Sequence, residues 1–297
     1  MNRLFNKREF LRLFSSAAVA IPTAFATARV MPSEKASGKS EKQETVFDRV
    51  MRTKTLRCGY VDYQPAVMKD LNTGKLYGFA YDIVNRLGEN LGFKVDWTEE
   101  VNPATMIEGL ITDRYDMVST PFWPNADRIK AADFTIGFYY SGMGIWVRSN
   151  DHRFDKDIKS INDTSVTLSV MDGTMLVEYA QQNFPKAKTF SVPQGSPLTD
   201  LLLNVTNGKA DVVVLDNYLA KDFEAANKGS IRQALDGANV RTYPNAFIIK
   251  QGETRMKSVI DVALEELMNS GYTDEMISKY EKYPGTFLRM SKPYKEY

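Results

Sequence analysis

One histidine and one cysteine among 297 residues narrow the chemistry open to this chain. His152 stands in the polar run Ser149-Asn150-Asp151-His152-Arg153, the composition of a solvated loop, so neither a histidine-based metal site nor a Ser-His-Asp triad is expected. Cys58 lies in an apolar-alternating run and reads as a small core residue with no internal partner for a disulfide. No catalytic residue, metal ligand or cofactor is expected. Two charged residues are more informative. Asp216 ends the apolar run Val212-Val213-Val214-Leu215. A carboxylate at the carboxyl end of a buried strand can accept hydrogen bonds from an ammonium group, or it can cap a helix starting after it. Arg128 carries a planar guanidinium that can grip a carboxylate through two parallel hydrogen bonds. Its neighbours Asp127 and Asp133 offer it a surface ion pair instead. Thr174 follows Gly173 at the start of a helical pattern, where free amide groups favour anions.

The elements that must position these residues alternate. A short helix is expected around Phe47, Val50 and Met51, then a strand over 56–60. A helix over 78–91 has Phe79, Ile83, Leu87 and Leu91 on one face, closed by Gly92. A strand over 94–98, a helix over 104–111 and a strand over 117–120 follow. The stretch 139–148 then reads as a long strand with no helix behind it. A second series runs through a strand at 167–170, a helix at 175–183, strand residues Thr189 and Phe190, a helix at 197–207 and a strand at 212–215. Another extended segment, 246–250, precedes two closing helices at 255–270 and 273–280. Alternating strands and helices imply mostly parallel sheets covered by helices. The second series is inserted between two long extended segments, which predicts two α/β lobes joined by two crossing strands. Ligand sites favour the cleft such an arrangement creates.

The ends bound the compartment. Residues 1–12 hold Arg3, Lys7, Arg8 and Arg12 against one Glu9, and an apolar, small-residue stretch leads to Ala26-Thr27-Ala28. This is the pattern of a secretory signal over 1–28, cleaved near Ala28, so the protein is expected in the periplasm. Asn6-Lys7-Arg8-Glu9-Phe10-Leu11-Arg12 is similar to a twin-arginine export signal with Lys for the first Arg. Residues 29–44 are polar and read as a spacer. The full chain has a formal charge of +1, which falls to −2 without the signal. That is far from the basic excess of a nucleic-acid-binding protein. The expected lobes are 45–143 with 246–297, and 144–245.

Five segments, in order, give the chain a resemblance. They are Leu56-Arg57-Cys58-Gly59; Gly74-Lys75-Leu76-Tyr77-Gly78-Phe79-Ala80-Tyr81-Asp82-Ile83; Asp127-Arg128-Ile129-Lys130-Ala131-Ala132-Asp133-Phe134-Thr135; Gly208-Lys209-Ala210-Asp211-Val212-Val213-Val214-Leu215-Asp216; and Tyr280-Glu281-Lys282-Tyr283-Pro284-Gly285. With them the chain resembles the family 3 extracellular solute-binding proteins, the amino-acid-binding group of periplasmic proteins that serve ABC transporters. The resemblance implies a two-lobed type II periplasmic-binding-protein fold that closes on its ligand by hinge bending, a motion the handling of small solutes by such proteins exemplifies. It also implies a monomer that hands an amino acid or related carboxylate to a membrane permease. Arg128 matches the family's carboxylate-binding arginine, Asp216 its amino-group ligand, and Tyr63 an aromatic that packs on the ligand. Thr120 matches a contact beside the first-lobe strand, and Thr174 and Met175 a turn that touches the carboxylate. Trp123 stands where members that bind common amino acids have Ser or Thr. Its indole offers a flat surface and one donor, which suits a larger or flatter ligand. Alternative readings on the same scaffold are a lyase similar to cyclohexadienyl dehydratase, for which Asp216, Glu99 and Glu100 could supply an acid or base, and a sensory module that presents its ligand to a receptor.

Overall fold

The computed structural model describes residues 44–290. The expected signal and all of the spacer but Glu44 lie outside them. Helix α1 (Val46–Thr53) is capped by Thr45, whose hydroxyl accepts from the Asp48 amide at 3.1 Å. Strand β1 (Thr55–Tyr60), the hairpin strands β2 (Met68–Lys69) and β3 (Leu76–Tyr77), and helix α2 (Phe79–Leu91) follow. Next come β4 (Lys94–Glu100), α3 (Met106–Ile111), β5 (Met117–Phe122), β6 (Ala132–Phe134) and the long strand β7 (Tyr139–Arg148). The second series holds β8 (Thr167–Met171), α4 (Met175–Asn183), β9 (Lys188–Val192), α5 (Thr199–Thr206), β10 (Val212–Asp216), α6 (Asn217–Ala226) and β11 (Ile231–Gln233). The long strand β12 (Arg241–Lys250), helices α7 (Thr254–Asn269) and α8 (Tyr272–Tyr280), and strand β13 (Phe287–Arg289) complete the described chain.

Local chemistry explains the elements. On α2 the side chains of Phe79, Ile83 and Leu87 recur on one face and are fully buried. Gly92 ends the helix at φ 68°, a left-handed position that needs no Cβ. Strand β10 is buried at all five residues, as its unbroken Val212–Leu215 run requires of a strand covered on both faces.

The strands join in the order β4-β1-β5-β12-β7-β10-β8-β9, with β6 on β12 and both β11 and β13 on β7. Strand β1 is parallel to β4 and β5, and β8 is parallel to β9 and β10, whereas β7 and β12 run antiparallel to their neighbours. Two large cores result. One gathers Val50, Leu56, Phe79, Ile83, Leu264 and Ile277, and the other Trp146, Leu168, Leu201, Val205 and Val213. Strand β7 gives Tyr139 to the first and Ile145 to the second; β12 gives Phe247 to the first and Tyr243 to the second. Where the two strands pair, Tyr243 stands opposite Ser141 and Asn245 opposite Tyr139.

Several boundaries differ from the sequence reading. Helix α3 begins at Met106 rather than 104, because the Asn102 side chain and carbonyl take the amides of Ala104 and Thr105 into a turn at 2.8 and 3.0 Å. Strand β12 begins five residues before 246, since Arg241–Asn245 are held by pairing with β7 and not by apolar patterning of their own. Strands β6, β11 and β13, each three residues long, have no pattern of their own and form by pairing with β12 or β7.

Candidate functional site

Asp216 closes β10 opposite Met143 of β7 and is 4% exposed. Its carboxylate caps α6, accepting from the amides of Tyr218 and Leu219 at 2.8 and 3.4 Å. Burial pushes its carboxyl up to about 6, against the opposing pull of Ser141 and the two amides. No cationic side chain pairs with it among the described residues. Tyr63 and Tyr139 lie near enough to feel its charge, although burial is the larger cause that lifts both phenols above their ordinary value. Ser141 is itself held by the Asn245 amide group at 2.9 Å.

Tyr63 sits half-buried in the loop after β1 and packs on the first core. Its amide and carbonyl pair with Val67 at 2.8 and 3.0 Å. Thr120 anchors the start of that loop, its hydroxyl accepting from the Val61 amide at 2.9 Å and donating to the Val61 carbonyl at 2.8 Å. With its side chain fully buried and committed on both sides, Thr120 acts on this region by holding the loop that carries Tyr63.

Arg128 follows β5 in a single turn of tight helix, its amide bound to the Asn125 side chain at 2.8 Å. The guanidinium lies 5.2 Å from the Phe122 ring centre and donates to the Trp123 carbonyl at 3.2 Å. Neither neighbouring acid reaches it. Asp127 pairs with Lys130 at 3.0 Å, and Asp133 accepts from the Gly252 amide at 2.8 Å. Arg128 therefore has no carboxylate partner among the described residues, and burial lowers its pKa from the ordinary value. Trp123 leaves the end of β5 yet packs against the second core, where its ring stacks on Tyr243 at 4.8 Å and 21°. The Arg241 guanidinium lies 4.9 Å from the same Tyr243 ring.

Two groups thus border the paired strands. Asp216, Tyr63, Tyr139 and Ser141 form one; Arg128, Trp123 and Tyr243 form the other, and Ser141 and Tyr243 face each other across β7 and β12. Thr174 caps α4, donating to the Met171 carbonyl at 2.7 Å and accepting from the Leu176 amide at 3.3 Å, while Met175 packs on the second core. No hydrogen bond among the described residues joins either to Asp216 or Arg128. Sequence reasoning missed Ser141, Asn245, Tyr139 and Tyr243. Their only signal is alternation along two long strands, which marks a face but not its polarity.

Asp216 is buried and Arg128 half-buried, and neither has a counter-ion among the described residues. The other clusters of charge, such as Arg148 with Asp211 and Arg153 with Asp151, are internally paired. No group of His, Cys, Asp and Glu suited to a metal occurs among the described residues.

Residues 56–283 match the sequence model of the bacterial extracellular solute-binding proteins, family 3. A probable amino-acid ABC transporter-binding protein of Haemophilus influenzae is 29% identical over 231 residues, 76% of this chain and 84% of that one. Cyclohexadienyl dehydratase of Pseudomonas aeruginosa is 27% identical over 188 residues, 63% of this chain and 68% of that one. The crystal structure of an ancestral amino acid-binding protein, a precursor of cyclohexadienyl dehydratase, aligns with a TM-score of 0.66 at 25% identity, covering 80% of this chain and 100% of that one. The mixed α/β architecture is accordingly that of the type II periplasmic binding proteins. The sheet order, the two long crossing strands and the match over most of the folded chain agree: this chain belongs to the bacterial extracellular solute-binding proteins, family 3.

Proposed function

We propose that this protein captures an amino acid or a related carboxylate-bearing solute outside the cytoplasmic membrane and delivers it to the permease of an ABC transporter. One observation carries the reading: Arg128 and Asp216 are sheltered ions of opposite sign beside the same pair of crossing strands, and neither has a counter-ion among the described residues. A solute with a carboxylate and an ammonium supplies both missing partners. Burying an unpaired charge is costly, so a ligand that pairs it recovers that cost as affinity. Tyr63 offers a ring beside the ammonium, Trp123 a flat wall near the carboxylate, and the capped start of α4 at Thr174 and Met175 closes from the other lobe. Residues 45–143 with 246–297 act as one lobe and 144–245 as the other, bending about β7 and β12.

The export pattern over 1–28 and the extracellular character of the family support a periplasmic site of action, and the relative from Haemophilus influenzae supports an ABC permease as partner. The protein works as a monomer and without catalysis. A lyase on this scaffold is the second reading, favoured by the dehydratase relative and by a buried carboxyl that burial pushes up to about 6. Mass spectrometry of the small molecule that co-purifies with the native protein separates the two. An intact amino acid or related carboxylate is expected; a product formed from added solute overturns the binding reading, as does failure to bind any amino acid in calorimetry.

A further inference from the structure

The segment from Glu281 to Arg289 lies after the last helix and touches α8, β7, α2 and α6. Arg289 ties it to α8, donating to the Ser278 hydroxyl at 2.9 Å and pairing with Asp274 and, at 3.3 Å, with Glu281. Glu281 closes the segment on itself by accepting from the Phe287 amide at 2.9 Å and the Thr286 hydroxyl at 3.2 Å. Strand β13 pairs with β7, with Phe287 opposite Ser141. The Phe287 ring also meets Phe79 of α2 and Tyr139 of β7, at 5.6 and 5.5 Å. The segment is therefore built into the first core.

Its remaining contacts reach α6, the helix that Asp216 caps. Lys282 and Tyr283 both bind the Asp222 carboxylate, at 2.7 and 3.0 Å. The Tyr218 ring stacks on Phe287 at 5.1 Å and 27° and meets Tyr283 edge-on at 5.5 Å. Tyr218 and Asp222 are four residues apart and share one face of α6. Two grips a turn apart on one face fix both the tilt and the rotation of a short helix. Tyr218 packs with the first core, whereas Ala220 and Phe223 of the same helix pack with the second. The amide of Tyr218 is also the nearer of the two that hold the Asp216 carboxylate.

We propose that Glu281–Arg289 is a strap that sets the bearing of α6 from the first core, with Lys282 and Tyr283 as positioning residues that hold the Asp216 carboxylate in place for the ligand; the ligand clause rests on the binding function proposed above. An exposed ion pair such as Lys282 with Asp222 adds little to stability. Its geometric effect is larger, because it holds the middle of α6 one turn beyond Tyr218, whose amide binds the cap. The groups that face Asp216 are Tyr63 from the loop after β1, Tyr139 and Ser141 from β7 and Tyr218 from α6, so a change in its titration reports access of water to that pocket of hydroxyls.

The test is the double variant Lys282→Met/Tyr283→Phe in the full chain, without ligand. Amide exchange at Tyr218 and Leu219 should quicken about tenfold, and the Asp216 carboxyl, followed by NMR, should titrate away from its wild-type midpoint as its two amides loosen and water reaches it. Lys282→Arg should keep wild-type values for both, and the thermal midpoint of the double variant should stay near that of the wild type. Unchanged exchange together with an unchanged Asp216 midpoint overturns the strap. Calorimetry with the common amino acids adds the ligand arm, in which the double variant should bind several-fold more weakly. If Asp216→Asn binds as well as the wild type, the ligand reading of Asp216 fails, and exchange and titration still decide the strap.

Discussion

Asp116 and Asp216 sit beside buried strands and are 1% and 4% exposed, but the protein treats their charges in opposite ways. Asp116 is surrounded by cations. It accepts from the Arg57 amide at 2.7 Å, from the Arg57 guanidinium at 2.8 Å, and pairs with Arg49. Asp216 receives only two amides and Ser141, and burial lifts its carboxyl to about 6. The arginines mirror the acids. Hydrogen bonding to Asp116 raises the Arg57 pKa, whereas burial without a partner lowers that of Arg128. The charge of Asp116 is neutralised inside the fold, whereas Arg128 and Asp216 have no counter-ion among the described residues. Leaving a sheltered charge without a partner is costly, and a bound group of opposite charge would offset that cost.

That contrast can be broken by substitution. Asp116→Ala should have the largest effect, a loss of about 4 kcal/mol of stability in urea unfolding, because it strands two partly buried guanidiniums; a loss below about 1 kcal/mol would remove the architectural half of the comparison. Arg128→Ala should leave stability nearly unchanged and cost about 3 kcal/mol of binding to a carboxylate ligand in calorimetry. Affinity within tenfold of the wild type would mean that Arg128 is not the anchor. Asp216→Asn keeps an equally good helix cap, so it should hold or raise stability at pH 7 while costing about 2 kcal/mol of ligand binding.

The pH dependence sharpens the difference. The folded-state pKa of Asp216, about 6, lies above the ordinary carboxylate value. Protonation therefore favours the folded state. The stabilisation is fully present below about pH 4 and is lost as pH rises through about 6. Ligand capture runs the other way, since a protonated Asp216 cannot pair with an ammonium. Affinity should decline as pH falls below about 6, and a flat profile from pH 7 to 5 would exclude Asp216 as the ammonium's partner. Trp123→Ser should cost about 1 kcal/mol of stability through the lost stack on Tyr243, and should shift the ranking of ligands in a thermal-shift screen toward small polar amino acids. An unchanged ranking would reduce Trp123 to packing. The smallest signal is a decrease in radius of gyration by small-angle scattering when ligand is added, which a rigid pair of lobes would not give.

Much of the fold was legible because its signals are local. The spacing of Phe79, Ile83 and Leu87, the stop at Gly92 and the apolar run into Asp216 each specify an element within a few residues. The stretch Arg241–Asn245 was not legible, because a proline and polar residues become strand only when β7 lies beside them. The candidate site divides similarly. The sequence singled out Arg128 and Asp216, but Asp127 and Asp133 stand closer to Arg128 in the chain than any ligand could, and only their turning to Lys130 and Gly252 leaves the guanidinium open. Thr120 was legible as a residue of interest but not as the clamp on Val61 that it is.

By itself the sequence determined the alternation of strands and helices, the two long extended segments and the order of motifs shared with a family, because periodicity, capping and turn residues act between near neighbours in the chain. Which charges are neutralised and which are left open was decided by tertiary structure alone. The partners that silence Asp116 lie 59 and 67 residues away. Coulombic and hydrogen-bond energies depend on distance in space, and no pattern along the chain records it.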